Sequence, residues 1–294
     1  MSERRNNSER MGAPHPDADA PPKKTRRRKA EPEAPPEDDF FSFVTPTEFV
    51  DLPSRGEFYP EDSYLHGVEQ LEIRHMTAKE EDILTAESLL RKGVALDRLL
   101  QSMLVDKRVK IGDLLVGDKN ALLVAARITG FGATYETALS CPVCDTRSEN
   151  AFNLDELVTI FPDEMPDGCT MTAHNTFVIT LPSTNLDVET RLLTSSDEKR
   201  LTQMLEKKRK SKATGTLTTD LLKAFTVTIN ERDETSVISS LLERLPVKDS
   251  RHLRKTYEKL VPNLDMTQTF DCDSCGYEGE VTVPMTADFF WPDT

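Results

Sequence analysis

Two CxxC pairs, Cys141-Pro142-Val143-Cys144 and Cys272-Asp273-Ser274-Cys275, are the residues of this 294-residue chain best suited to chemistry. A two-residue spacer lets both thiolates of a tight turn reach one ion. Two such turns supply the four soft ligands of a tetrahedral Zn2+ site. Four thiolates leave no open coordination position, so an ion held this way is structural rather than catalytic. The pairs stand 127 residues apart, whereas an ordinary zinc ribbon spaces its pairs by about 15–20 residues. A shared site therefore requires a domain inserted between the pairs, which is tolerable because loop-closure cost grows only logarithmically with length. Redox or disulfide use and coincidence are the rival readings. A thioredoxin-type CxxC opens a helix within a βαβ unit, and neither pair here opens an evident helix, so the shared site is favoured.

The fifth cysteine, Cys169 in "MPDGCTMTAHNTF", has no partner two residues away. It reads as a small buried or turn residue in preference to a nucleophile served by His174. His15, His66, His75 and His252 form no ligand-spaced cluster. No HxE precedes the CxxC pairs, which argues against a deaminase-like metal site. No catalytic residue is expected.

The cysteine pairs need elements that carry them to one place. "TYETALS" before Cys141 and "SENAFNL" after Cys144 alternate as strands do, and so do "MTQTFD" and "GYEGEVTVPM" around the second pair. Each pair thus sits at the tip of a hairpin, with Gly276 in a sharp turn after Cys275. Upstream, "VEQLEIR" reads as a half-buried strand. "TAKEEDILTAESLLRKG" reads as one helix, opened by a Thr77–Glu80 capping box and stopped at Gly93. Leu96, Leu99, Leu100, Met103 and Leu104 fall on a single helical face. Asp118 is placed to cap a further helix, "NALLVAARITG", ending at Gly130.

Between the pairs, "TFVITLPSTNLDVETRLLT" predicts a hairpin turned at Pro182 to Asn185. Thr194 or Ser195 then opens a long polar helix. "KATGTLTTD" reads as a loop, "AFTVTINER" as a strand and "TSVISSLLERLP" as a helix. "KDSRHLRKTYEKLVP" reads as an amphipathic helix capped by Asp249 or Ser250, with Leu253, Tyr257 and Leu260 on one face. Its Arg251 and Arg254 could bind Asp or Glu groups, although ion pairs on the helix surface are the ordinary use of such residues. The fold class expected is α+β: a helical N-terminal part, a split zinc ribbon formed by the two CxxC hairpins, and an inserted α+β domain. The boundaries expected are a disordered arm at 1–39, a strand-plus-helix domain at 40–135, the ribbon at 136–153 and 267–288, the insert at 154–266 and an aromatic tail at 289–294.

Charge restricts the partners. Residues 1–39 hold nine basic and nine acidic residues that cancel, so the remaining 28 basic and 42 acidic residues carry the net charge of −14. Such a body repels nucleic acid, whose binding proteins draw affinity from clustered Lys and Arg. Neither a secretory signal nor a run of about 18 apolar residues occurs, so the reading is a soluble protein kept in a cytoplasm, with no membrane partner. The arm sets a basic block, "KKTRRRK", beside an acidic one, which reads first as solvated, unstructured chain.

Several strings taken together resemble the T4-type bacteriophage baseplate hub protein family: "LPSRGEFYP", "MTAKEEDILT", "LLRKGVALDRLLQSMLVDK", "LLVGDKNALLVAARITGFG", both CxxC pairs, "DSRHLRKTYEKLVPNLD" and "ADFFWP". The resemblance runs from about residue 45 to 292 and leaves the arm outside. It implies a non-enzymatic tail protein that forms part of the contractile-tail baseplate hub or assists its assembly. Its partners would be other baseplate or tail hub proteins, met in the host cytoplasm during assembly or in the virion tail. No small-molecule substrate is expected. Arg55, Phe58 and Tyr59 in the "LPSRGEFYP" turn, with Phe289, Phe290 and Trp291 near the C-terminus, are the candidate interface residues, since aromatic anchors are enriched at hot spots. Packing of the C-terminal rings on their own domain is the competing reading. The alternative function is a nucleic-acid-binding zinc-ribbon protein, against which the acidity counts.

Overall fold

Strand β1 (Thr47–Asp51) opens the fold by pairing antiparallel with β2 (Gln70–Arg74), so that Val50 and Leu71 face each other and both turn inward. The computed structural model of the chain describes residues 45–210, 217–283, 285 and 287–290. The arm at 1–39 and Trp291 lie outside these residues.

Helix α1 (Ala78–Thr85) begins as the capping pair predicts, with the Glu80 carboxylate accepting from the Thr77 N–H at 3.1 Å and from its hydroxyl. The single helix expected through Gly93 is broken at Ala86, which is extended (ψ 100°), and resumes as α2 (Glu87–Arg91). The Thr85 hydroxyl takes the carbonyls of Glu81 and Asp82 (3.2 and 3.3 Å), and such back-bonding competes with helix continuation. Gly93 ends α2, with the Val94 N–H reaching back to the Leu89 carbonyl at 3.1 Å. Helix α3 (Ala95–Met103) buries Leu99, Leu100 and Met103 fully and Leu96 in part, as its spacing predicts.

The central helix α4 (Val116–Phe131) starts before Asp118 and ends beyond Gly130, at Gly132. Its N-cap is Leu115, which offers no side-chain cap. Its second residue must be glycine, because a Cβ on Gly117 would lie 2.0 Å from the Pro262 carbonyl oxygen. Hairpin β3 (Thr134–Ser140) and β4 (Arg147–Asn153) follows, then β5 (Val158–Ile160). Strands β6 (Cys169–Met171), β7 (Phe177–Thr180), β8 (Asp187–Thr190) and β9 (Thr226–Ile229) form an antiparallel sheet in that order, with Phe177, Ile179, Val188 and Ile229 buried. The β7–β8 turn spans Leu181 to Leu186, as expected.

Helices α5 (Ser195–Lys210) and α6 (Leu217–Phe225) lie between β8 and β9. The loop expected over 212–220 is corrected for 217–220, which form the first turn of α6 with Leu222 and Phe225 buried behind them. Helix α7 (Thr235–Glu243) and α8 (Val247–Leu260) follow, the latter burying Leu253, Tyr257 and Leu260. Strand β10 (Asn263–Asp265) then pairs with β5, Asn263 opposite Ile160, and leads into the hairpin β11 (Thr267–Asp271) and β12 (Glu278–Thr282). The architecture is mixed helix and sheet, and its main core is continuous from Val50 to Phe290.

One device recurs at helix starts. Asp249, expected as a cap, is instead the third residue of α8, as Asp118 is of α4, and both are buried. Their carboxylates turn away from their own helices to serve distant loops. Asp118 accepts from the Ser54 N–H (2.9 Å), the Ser54 hydroxyl (2.6 Å) and the Tyr59 hydroxyl (2.6 Å). Asp249 accepts from the Ser183 and Thr184 N–H groups (2.8 and 3.0 Å) and the Thr184 hydroxyl (2.8 Å). Glu80 in α1 and Asp197 in α5 hold the same helical position and are also buried. A carboxylate in the first turn meets the positive helix end and satisfies donors that would otherwise be buried unpaired.

Candidate metal centre

The hairpin registers place both cysteine pairs at their tips. Ser140 faces Arg147 at the end of β3–β4, and Asp271 faces Glu278 at the end of β11–β12, so each tip is a six-residue loop beginning with a cysteine. The two loops fold alike. The Cys141 N–H donates to the Thr146 carbonyl (2.9 Å) and the Asp145 N–H to the Cys141 carbonyl (2.9 Å). In the second loop the Cys272 N–H donates to the Tyr277 carbonyl and the Gly276 N–H to the Cys272 carbonyl, both at 2.8 Å. The residue after the second cysteine is left-handed in each, Asp145 at φ 57° and Gly276 at φ 69°. Glycine adopts this conformation freely, and aspartate is among the residues that tolerate it.

The tips meet. Cys141 Sγ lies 3.7 Å from Cys275 Sγ, Cys144 Sγ lies 3.7 Å from Cys272 Sγ, and all four sulfurs fall within 4.8 Å of one another. A disulfide requires about 2.05 Å, so these are four free thiols. A tetrahedral ion with Zn–S bonds of about 2.3 Å sets its sulfurs about 3.8 Å apart, which the two cross-hairpin distances match. The four cysteines could therefore hold one metal ion.

Cys141 and Cys272 are buried with Phe270, against Leu139, Tyr277 and Val281, while Cys144 and Cys275 are exposed. Hydrogen bonding with the side chain and backbone of Thr146 brings the Cys144 thiol down to about 6. The Tyr277 backbone favours the Cys275 thiolate, but Cys144, burial and the other two sulfurs outweigh it and push that thiol up to about 12. Crowded thiols resist joint ionisation because each thiolate repels the next. A divalent cation removes that obstacle, and binding it releases protons.

The sequence pointed to the four clustered cysteines but not to the residues that support them. Thr146 and Tyr277 each lie two residues after the second cysteine of their pair and close equivalent loops. That shared offset is the signal which could have found them. The Thr146 and Ser274 hydroxyls join the tips at 3.4 Å, and Gln268 Nε2 donates to the Asn153 carbonyl at 2.9 Å between the hairpins. Tyr135 at the base of β3 packs edge-on against Phe289 (5.0 Å between centroids), tying the first hairpin to the main core.

The expected aromatic anchors are placed differently. Phe58 and Tyr59 are buried, Phe58 between Phe161 and Phe177 and Tyr59 on Asp118, with its oxygen accepting from the Leu115 N–H at 2.9 Å. Phe289 and Phe290 are also buried, edge to face at 5.2 Å. These four rings stabilise the core and present no free surface, because the "LPSRGEFYP" loop folds back over the start of α4 and the short helical turn Ala287–Phe290 closes onto α4 and β3. Arg55 remains exposed, its guanidinium 3.9 Å from the Phe161 ring centre and 3.8 Å from Asp163. Cys169 is buried in β6, and burial pushes its thiol above the ordinary value, the opposite of what a nucleophile needs.

Residues 46–170 match the family model described as T4 bacteriophage base plate protein. The resemblance to T4-type baseplate proteins is therefore supported over β1 to β6, which includes the first CxxC hairpin. No curated protein and no solved structure matches the chain.

Proposed function

We propose that the chain is a non-enzymatic component, or assembly factor, of a phage tail baseplate hub. On this reading one structural Zn2+ on Cys141, Cys144, Cys272 and Cys275 closes a split zinc ribbon whose surfaces dock other hub proteins. The observation that carries it is the base plate family match over residues 46–170. The metal reading is supported by the 3.7 Å sulfur separations and the all-thiolate ligand set, which suits Zn2+. The ion would supply cross-linking rather than reactivity. It would pin both ends of the insert at 154–266 to the ribbon at 136–153 and 267–288, beside the strand-plus-helix domain at 40–135. The site of action is the host cytoplasm during assembly and the tail baseplate. No helix among the described residues is long and apolar enough to cross a membrane.

Co-expression of the full chain with other baseplate proteins, followed by pull-down, tests this reading. A defined complex is expected. Failure to bind any of them, together with tight, salt-sensitive DNA binding, would replace it with the nucleic-acid-binding ribbon.

A further inference from the structure

A groove of about 320 Å3 lies between α6, α8 and the β5–β10 ribbon. Its accessible apolar lining comes from Ile160, Leu221, Val261 and Leu264, backed by the buried, stacked rings of Phe225 and Tyr257, whose centroids are 4.0 Å apart. Arg254 of α8 lines the same groove. Its Nε is buried without a hydrogen-bond partner, and among the described residues its guanidinium forms no ion pair, although Glu258 lies one turn along the helix. A buried donor left unpaired is costly, and the half-buried Arg254 brings to the groove wall a positive charge that no carboxylate among the described residues neutralises.

The adjoining strand is open as well. Strand β10 is held against α4 by the close approach of Gly117 to Pro262 and by Asn120 Nδ2 donating to Asn263 Oδ1 at 3.2 Å. That leaves β5 as the outer strand of a two-stranded ribbon. Val158 is 66 % exposed and Ile160 41 % exposed, and the strand carries none of the charges that usually protect an edge.

We propose that the groove and the open edge of β5 together receive one extended segment of another tail protein. That segment pairs its backbone with β5, seats an apolar side chain against Ile160, Leu221 and Leu264 and places an Asp or Glu carboxylate on Arg254. Strand addition provides affinity through main-chain hydrogen bonds, and the pocket and the cation provide specificity. The inference rests on the reading that the chain docks other tail proteins, and it names the place and the chemistry of one such contact.

The test places a photo-crosslinking phenylalanine derivative at Val158 of the full chain, expressed during phage infection, with the same group at the exposed Val247 as a control. The expected result is a crosslink from position 158 to another tail protein, through a peptide that contains Asp or Glu, and none to that peptide from position 247. Arg254→Glu should lower the crosslink yield roughly tenfold or more, while Arg254→Lys, which keeps the charge, should retain part of it. Unchanged melting temperatures would show that both variants are folded. No crosslink at 158 from chains that still sediment with tails would overturn the inference and leave the baseplate reading standing. Chains that neither crosslink nor sediment with tails would overturn both. Crosslinking to a second copy of this chain, or a yield indifferent to Arg254→Glu, would also overturn the inference.

Discussion

Cys272 contributes a buried sulfur and Cys144 an exposed one, so serine at the two positions should not have equal effects. Both changes are expected to release the metal. Cys272→Ser also puts a hydroxyl beside Phe270 and should cost about 3 kcal/mol or more in thermal or urea unfolding. Adding a chelator should destabilise the wild-type protein and leave the Cys272→Ser variant unmoved. Asp249 invites a second test, because Asp249→Ala strands two backbone N–H groups and is expected to cost about 2–3 kcal/mol. Acidification examines the same carboxylates together. Burial alone would raise Glu80, Asp197 and Asp249, but hydrogen bonds from Thr77 and Ser102, from Arg191 and Thr194, and from Thr184 and Ser183 outweigh it and hold all three below the ordinary carboxylate range. Their stabilisation is complete above their unfolded values and is lost as pH falls through the depressed ones. At Asp118 burial wins over the bonds from Ser54 and Tyr59, and its carboxyl is raised. Its contribution has the opposite sign, present at low pH and lost as pH rises through the raised value. Asp118→Asn should therefore remove less of the acid sensitivity than Asp249→Asn, as melting temperature against pH will show.

At the scale of elements, much was legible because local patterns and tertiary needs agreed. The alternation in "TYETALS" marks β3 residue for residue, and the stripe from Leu96 to Leu104 marks the buried face of α3. Helix starts were misread where a tertiary demand exceeded the local one. Asp118 and Asp249 have the composition of caps, but their carboxylates are required by Ser54 and by Ser183 and Thr184, 64 to 66 residues away in sequence. No local pattern reports such a need. The aromatic anchors were misread for the same reason, since a ring in a turn looks available until the loop is seen folded onto α4. That the four cysteines come together was legible because both pairs carry the same flanking alternation. The loop bonds through Thr146 and Tyr277 left only their shared offset as a signal, because both loops close on backbone carbonyls. Gly117 supplies an element-scale prediction. Its Cβ-free contact with Pro262 lets β10 lie against α4, so Gly117→Ala, with a backbone atom in the way, should destabilise the fold by about 3 kcal/mol while leaving the four clustered cysteines in place.

For the whole molecule, the net charge of −14 disfavours nucleic-acid binding, which agrees with the proposed reading of a scaffold that presents surfaces to proteins. Binding to duplex DNA should accordingly be weak at low salt. The return of the chain through β10 to the second hairpin lets a single ion tie residues 141 and 275 together, constraining the unfolded chain as any long-range cross-link does. The most direct test of this account is the metal content of the purified full chain, measured beside Cys141→Ser and Cys272→Ser prepared in parallel. About one zinc per wild-type chain and none in either variant is the result expected. Full retention of the metal in the variants, or a folded wild-type protein that never takes zinc up, would contradict it.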